Sequence, residues 1–348
     1  MAYIYKHFIP QNIAPEGTIK IGVYDINDNR VCSIPLGGLT PPNEDKLYSF
    51  GLVSDIHLYK SSVVWNPDTK FDNALTYFES KGCALCVHCG DITQTGLFNE
   101  GDTVNKDVAQ IAKYDEICNK HTINVYGIYG NHESYVVPII NNLSDIKVYT
   151  KTDLYYTVSH GNDLFIFIGQ PKGSIPMTDE ALQWLYNTLE SNRNKRCFIF
   201  VHPHISSGNA LGAYTSNNFF AGWGLKTTAF KNLLKHYKNT ILFHGHSHIK
   251  YVCQEVDSQA NYSEKDGFKS VHVSSIGRPR DITNGTLNSY DNAESEGYLV
   301  DVYADYIVLN GYDFIDGKAI PIATYKIDTK LIEIEAEMFG DSTGIINT

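Results

Sequence analysis

The sequence predicts an α/β fold whose sheets are covered by helices. Three observations carry this. Strand-like and helix-like segments alternate through most of the chain and give way to strands near its C-terminal end. Hydrophobic residues make up 43% and charged residues 19% of the 348 positions, enough apolar material for a large core and too much for a disordered chain. Polar clusters follow the ends of apolar runs, where open α/β sheets place their ligands.

The elements can be read in order. Residues 18–24 alternate in part, Asn27-Asp28-Asn29 is turn chemistry, and 31–36 returns as a second strand. This predicts a small N-terminal β-hairpin. Two glycines and two prolines in 37–44 then read as a linker. Residues 48–54 form a short strand ending at Asp55. Asp68 or Thr69 caps a helix with Phe71, Ala74, Leu75 and Phe78 on one face, stopped by Gly82. A strand to Cys89, a helix over 104–118 and a strand over 123–129 follow. Segments 155–159 and 164–168 flank a His160-Gly161-Asn162-Asp163 turn and read as a hairpin. Thr178 caps a helix with Ala181, Leu182, Leu185 and Leu189 on one side. A strand over 197–201, a helix over 227–237 and a strand over 240–243 come next. The remainder reads as strands at 249–253, 270–274, 298–303 and 306–309.

Charge and cysteine usage narrow the function. The net charge of −11 disfavours general binding to nucleic acid or anionic membrane. No apolar run approaches the ~18 residues that span a bilayer, and the first residues lack an apolar leader. A cytoplasmic protein is expected, with a virion-associated one as the alternative. Seven cysteines, an odd number, argue against a disulfide framework. Cys83, Cys86 and Cys89 form a C-x-x-C-x-x-C string that invites a zinc or iron–sulfur reading. On a strand, however, residues three apart face opposite sides. The string is read as packed thiols.

Five polar clusters stand at predicted strand ends: Asp55-Ile56-His57, Gly90-Asp91, Gly130-Asn131-His132-Glu133, His202 and Gly245-His246-Ser247-His248. The intervals between them, roughly 35 to 70 residues, leave room for one or two strand–helix–strand units. The clusters can therefore share one sheet edge. Carboxylate, imidazole and amide oxygen together suit manganese, iron, zinc or cobalt. Seven candidate ligands are too many for one tetrahedral ion. They suit two ions about 3.5–4 Å apart with a shared carboxylate. The glycines before the ligands allow tight turns.

The ordered set D-x-H, G-D, G-N-H-E, H, G-H-x-H resembles the calcineurin-like metallophosphoesterase superfamily over residues 48–328. The resemblance implies a four-layer α/β/β/α sandwich with a two-metal centre between its sheets. Carried over residue by residue, Asp55, His57 and His248 hold the first metal. Asn131, His202 and His246 hold the second, and Asp91 bridges them. His132 is the non-ligand acid that assists the leaving oxygen. The usual fourth motif is H-x-P. Here Val201-His202-Pro203-His204 has its proline one place early, and His202 is assigned as ligand over His204 because it ends the strand. The sequence departs from purple acid phosphatases, which use D-x-G and G-D-x-x-Y, at His57 and Gln94. It departs from protein serine/threonine phosphatases, which carry G-D-x-x-D-R-G, at 92–96. It is similar to the group holding class III cyclic-nucleotide phosphodiesterases and related phosphohydrolases.

Asn131, His204 and Arg278 are read as substrate contacts. For Arg278 and Arg280 the competing reading is a solvated loop. His88 and His244 are read as packed core histidines, and His7, His121, His160 and His236 as surface residues. The implied activity is hydrolysis of a phosphodiester or small organic phosphate by a metal-bridging hydroxide, with His132 protonating the leaving group. Loops such as 205–225 would set substrate choice. The alternative is a structural or docking component of a larger assembly, for example a phage virion or tail protein. Three parts are expected: a β extension and linker at 1–46, the metallophosphoesterase domain at 47–330 and a tail at 331–348. The hairpin is expected to mediate self-association or docking, because its edge is open to another chain.

Overall fold

In the computed structural model, alternate residues of each central strand divide between two cores. The structure describes residues 45–58, 66–94, 103–133, 154–169, 178–205, 227–253, 261–264, 267–283, 286–290 and 293–332, with the backbone of two strands at 20–24 and 30–35. The linker at 37–44, nearly all of the 205–225 loop and nearly all of the 331–348 tail lie outside the described residues.

The elements run β1 (Lys20–Tyr24), β2 (Arg30–Pro35), β3 (Tyr48–Val53), α1 (Pro67–Ser80), β4 (Leu85–His88), α2 (Thr103–Cys118), β5 (Asn124–Gly127), β6 (Tyr155–His160), β7 (Asp163–Ile168), α3 (Asp179–Glu190), β8 (Cys197–Val201), α4 (Thr227–His236) and β9 (Thr240–His244). Then come β10 (Tyr262–Ser263), β11 (Lys269–His272), β12 (Arg280–Thr283), β13 (Thr286–Tyr290), β14 (Glu296–Val302), β15 (Tyr306–Asp313) and β16 (Lys318–Asp328).

Two six-stranded sheets form, in the orders β16-β15-β14-β3-β4-β5 and β10-β11-β9-β8-β7-β6. Strands β3, β4 and β5 are parallel, as are β7, β8, β9 and β11. Phe165, Phe167, Phe198, Phe200 and Phe243 meet Phe50, Leu52, Val87 and Tyr298 between the sheets. The intervening Leu164, Ile166, Ile199 and Leu242 pack outward against Leu182, Leu185, Phe230 and Leu233 of α3 and α4. Val53, Cys86 and Val125 pack outward against Phe71, Leu75, Phe78 and Tyr114 of α1 and α2. Burial on both faces explains why these strands read as unbroken apolar runs. The result is the expected four layers, α/β/β/α.

Cys86 lies in the helix-side core and Cys89 between the sheets. Burial raises both thiols well above their ordinary range. They are packed thiols on opposite faces.

The structure differs from the sequence reading at three places. The strand expected at 249–253 is one bridge, Ile249 to Arg280, followed by a 3-10 turn at Tyr251–Cys253. Tyr251 N donates to Glu296 Oε2 at 2.9 Å, which takes it out of any ladder. The β12–β13 hairpin was not expected. Strand β16 fills an edge of the first sheet, where Ile320, Ala323 and Ile327 are buried and Pro321 is exposed. An edge tolerates a proline because its missing N–H faces away from the ladder. The N-terminal hairpin forms as β1 and β2 in antiparallel register, and β2 runs near β16.

Candidate metal centre

All five clusters stand just past the carboxyl ends of parallel strands. Asp55 and His57 follow β3, Asp91 follows β4, and Asn131 to Glu133 follow β5. His202 follows β8, and His246 and His248 follow β9 of the other sheet. Beyond the sheet, the first two loops stay in register. Asp55 N donates to Gly90 O at 3.0 Å, His57 N to Asp91 O at 2.9 Å and Leu58 N to Ile92 O at 2.7 Å.

The turns are sharp. Asp55, His57, Asp91, His246 and His248 all have left-handed backbone, with φ from 52° to 73°. Two glycines let the loops close. A Cβ at Gly130 would lie 2.2 Å from Asp91 Oδ1, and one at Gly245 would lie 1.8 Å from Ser54 Oγ. Side chains there would push the carboxylates out of place.

The predicted residues gather into two groups that share Asp91. Asp55, His57, Asp91 and His248 each present one atom within 4.8 Å of the others, and so do Asp91, His202 and His246. In the first group His57 Nε2 lies 3.0 Å from His248 Nε2, 3.8 Å from Asp55 Oδ1 and 3.7 Å from Asp91 Oδ2. His248 Nε2 is 3.1 Å from Asp55 Oδ1. In the second, His202 Nε2 lies 3.0 Å from Asn131 Oδ1, 3.0 Å from His246 Nδ1 and 3.1 Å from Asp91 Oδ2. A tetrahedral shell with bonds of about 2.0–2.1 Å has edges of about 3.3 Å. Both groups are spaced like such a shell.

The donor chemistry fits a cation. His202 Nδ1 faces Cys89 O at 2.8 Å and His248 Nδ1 faces Arg278 O at 3.0 Å. A carbonyl only accepts, so each Nδ1 carries a proton and each Nε2 is turned inward, the atom that would face a cation. Asp55 Oδ1 is buried and, among the described residues, accepts no hydrogen bond. Ring nitrogens and carboxylate oxygens thus converge, the arrangement a positive ion satisfies.

Electrostatics agree. Burial pushes Asp91 upward, but His202 and then His132 outweigh it and hold the carboxyl well below the ordinary range. Asp55 is likewise held low against its burial, chiefly by His248. His202, despite burial, is pushed up to about 9 by Asp91, so a cation at this site competes with a proton on Nε2. Burial lowers His57 and His246 strongly, which keeps those rings neutral.

Around the groups, His132 Nδ1 donates to Gln94 O at 2.8 Å, and its Nε2 lies 3.8 Å from Asp91 Oδ2. His204 is buried, with its ring 6.3 Å from that of His246, and burial lowers it to about 3. Arg278 is 4% exposed, so the solvated-loop reading does not hold for it. Its charge is felt by both His57 and His132. His88 and His244 are buried, as the packed reading expected. His121 is half-buried rather than fully solvated. It is clamped by Glu79 at 2.9 Å and Asp72 at 3.1 Å with its side chain 8% exposed.

Sequence reading missed the work of Glu133. Its Oε2 accepts from Asp91 N at 2.9 Å and Gly130 N at 2.8 Å, and its Oε1 from Thr93 N at 2.7 Å. Glu133 thereby locks the G-D loop to the G-N-H-E loop. The signal was its place inside the motif.

The fold and the paired groups define an α/β/β/α protein with a buried carboxylate–histidine centre. The family model for calcineurin-like phosphoesterases matches residues 48–250. The chain belongs to that family, and membership implies a phosphoric ester hydrolase. A dimetal phosphatase from Danio rerio superposes with a TM-score of 0.57 at 14% identity, covering 82% of this chain and 100% of its own. A purple acid phosphatase from yellow lupin (Lupinus luteus) seeds superposes with a TM-score of 0.56 at 15% identity, covering 91% of this chain and 60% of its own. At such identities the likeness is one of fold. No curated protein sequence matches the chain. Among the described residues, no helix is long and apolar enough to cross a membrane.

Proposed function

We propose that the chain hydrolyses phosphodiesters or small organic phosphates with two divalent or transition ions. Asp55, His57 and His248 would hold one, Asn131, His202 and His246 the other, with Asp91 shared. The observation that carries the reading is Asp91 standing in both groups. Two such ions neutralise an anionic ester and supply a nucleophile at neutral pH. The mixed imidazole, carboxylate and amide donors favour manganese, iron or zinc.

The chain's own residues supply orientation and proton transfer. Asp91 is fixed from two sides, by His132 N donating to its Oδ1 at 3.0 Å and by Glu133 accepting from its N. His132 is oriented through Nδ1 by Gln94 O, which leaves Nε2 to carry a proton to the leaving oxygen. Burial lowers the pKa of His132 against the pull of Asp91, making the protonated ring a stronger acid. Arg278 and His204 border the groups and would meet the ester, with Asn131 reaching it from the second group.

Elemental analysis of protein purified without chelator is expected to approach two ions per chain. Turnover of a chromogenic diester should depend on added Mn²⁺. Asp91→Ala should lose both ions, since it removes the ligand common to both groups. A saturated count of one ion, or an Asp91→Ala chain that still binds two, would overturn the two-ion reading.

A further inference from the structure

The buried face of α1 contains a lysine. That face runs Pro67, Lys70, Phe71, Ala74, Leu75 and Phe78, the stripe of a helix laid on a sheet. Lys70 is 2% exposed. Lysine is almost never buried this far without a partner, because its ammonium loses its hydration. Here Nζ donates to Gly277 O at 2.9 Å. The helix reaches across 207 positions of sequence to hold one carbonyl.

Gly277 belongs to a segment, 275–278, that none of the five motifs covers. The segment is tied to the D-x-H loop on one side. Ser275 Oγ donates to Asp55 O at 2.8 Å, Gly277 N to Asp55 O at 3.1 Å and Ile276 N to Ser54 O at 3.0 Å. The approach is close, since a Cβ on Gly277 would lie 2.1 Å from Ile56 O. On the other side it is tied to the G-H-x-H loop. Arg278 O accepts from His248 Nδ1 at 3.0 Å, and Arg280 N donates to His248 O at 2.8 Å. Arg278 N returns to Ser275 Oγ at 2.8 Å, which closes the turn. The segment is a bracket joining the two halves of the first group. The second group is reached only indirectly: His202 is oriented by Cys89 O, and His246 meets the bracketed D-x-H loop through its N, which donates to Asp55 Oδ2 at 2.9 Å.

We propose that Lys70 is a positioning residue for the first ion group. It anchors the bracket through Gly277, so that the Arg278 carbonyl holds His248 with Nε2 toward Asp55 and His57. The inference rests on the two-ion reading above and adds to it a control centred on one group. Partners behind a ligating histidine fix its ring orientation, and losing one weakens metal binding by about 10–100-fold.

The test separates the groups first. A His246→Ala chain keeps the first group, and a His57→Ala chain keeps the second. Lys70→Met is added to each, and Mn²⁺ binding is titrated by calorimetry. Affinity should fall by about 10–100-fold in the His246→Ala background and by less than about 3-fold in the His57→Ala background, whose ligands the bracket reaches only through Asp55. Equal weakening in both would show a general structural role and overturn the proposal, as would no change in either. Should Lys70→Met fail to fold by circular dichroism, Lys70→Gln carries the same test. It keeps a polar head but is too short to reach Gly277 O, so the same difference between the groups is again expected, and no loss overturns the proposal. Failure of the two-ion reading shows separately, as a parent chain that binds fewer than two ions.

Discussion

Five of the candidate ligands hold left-handed backbone, and this is strain stored where a cation can repay it. Each such position costs on the order of 1–3 kcal/mol unless its surroundings fix it. Aspartate and histidine enter this region more readily than most side chains. Backbone bonds between the loops, and His246 N donating to Asp55 Oδ2 at 2.9 Å, fix the turns. The residue types at these turns were legible in the sequence, because each motif is local and ends an apolar run. Their supports were not. Glu133 acts across 42 positions on Asp91, and Lys70 across 207 on Gly277. The motif marks Glu133 but not its partner Asp91, and no local pattern marks Lys70. Arg278 was half-legible: its charge was noticed, its burial was not. One substitution separates binding from chemistry at this scale. His132 lies outside both groups, although its Nε2 is only 3.8 Å from Asp91 Oδ2. His132→Ala should therefore keep two ions by elemental analysis and lose turnover by about 10²–10⁴-fold. The loss should shrink for a nitrophenyl ester, whose leaving group needs little protonation. A variant that lost an ion would make His132 a ligand.

Among the elements, the central strands were the most readable. Runs such as Leu164-Phe165-Ile166-Phe167-Ile168 send aromatic residues inward and aliphatic ones outward, so both faces are apolar. The edge elements were least readable. Strand β16 alternates weakly and carries Pro321, and β10 has only two residues. Their pairing is set by neighbours rather than by their own composition. The sheets are also clasped at the end opposite the ligands. Arg196, just before β8, makes two bonds to Asp163 of β7, at 3.0 Å and 2.6 Å. It reaches the other sheet through Tyr303 O and Thr329 Oγ1, both at 2.8 Å, and Tyr48 of β3 donates to Asp163 at 2.6 Å. Arg196 and Asp163 are 4% and 5% exposed, so water does little to screen the pair. Arg196→Met would leave the carboxylate buried without its cation, and unfolding in urea should show a loss of about 3–5 kcal/mol. The ion count should not change, because the clasp lies at the amino ends of β7 and β8. A loss under about 1 kcal/mol, the range of exposed pairs, would show that solvent reaches the clasp.

At the scale of the whole molecule, the sandwich and its centre fall within residues 45–332. Among the described residues, both six-stranded sheets, the four helices, both ligand groups and the clasp lie there. The β1–β2 hairpin stands outside as its own two-stranded sheet. A two-stranded hairpin is marginal alone in water, so its partner must be the sandwich or another chain. Strand β16, which stands at the edge of its sheet among the described residues, is the neighbour it approaches. Removing residues 1–44 tests the two against each other. The sandwich keeps its three cores in the truncated chain, which should fold, bind two ions and retain turnover. Sedimentation of the full and truncated chains then reads the hairpin's role. A drop in association state with folding intact would assign the hairpin to contacts between chains. An unchanged state would remove that role. A truncated chain that melts at lower temperature with the same association state would make the hairpin a cover for the β16 edge, since an uncovered edge loses its packing and is open to pairing with other chains.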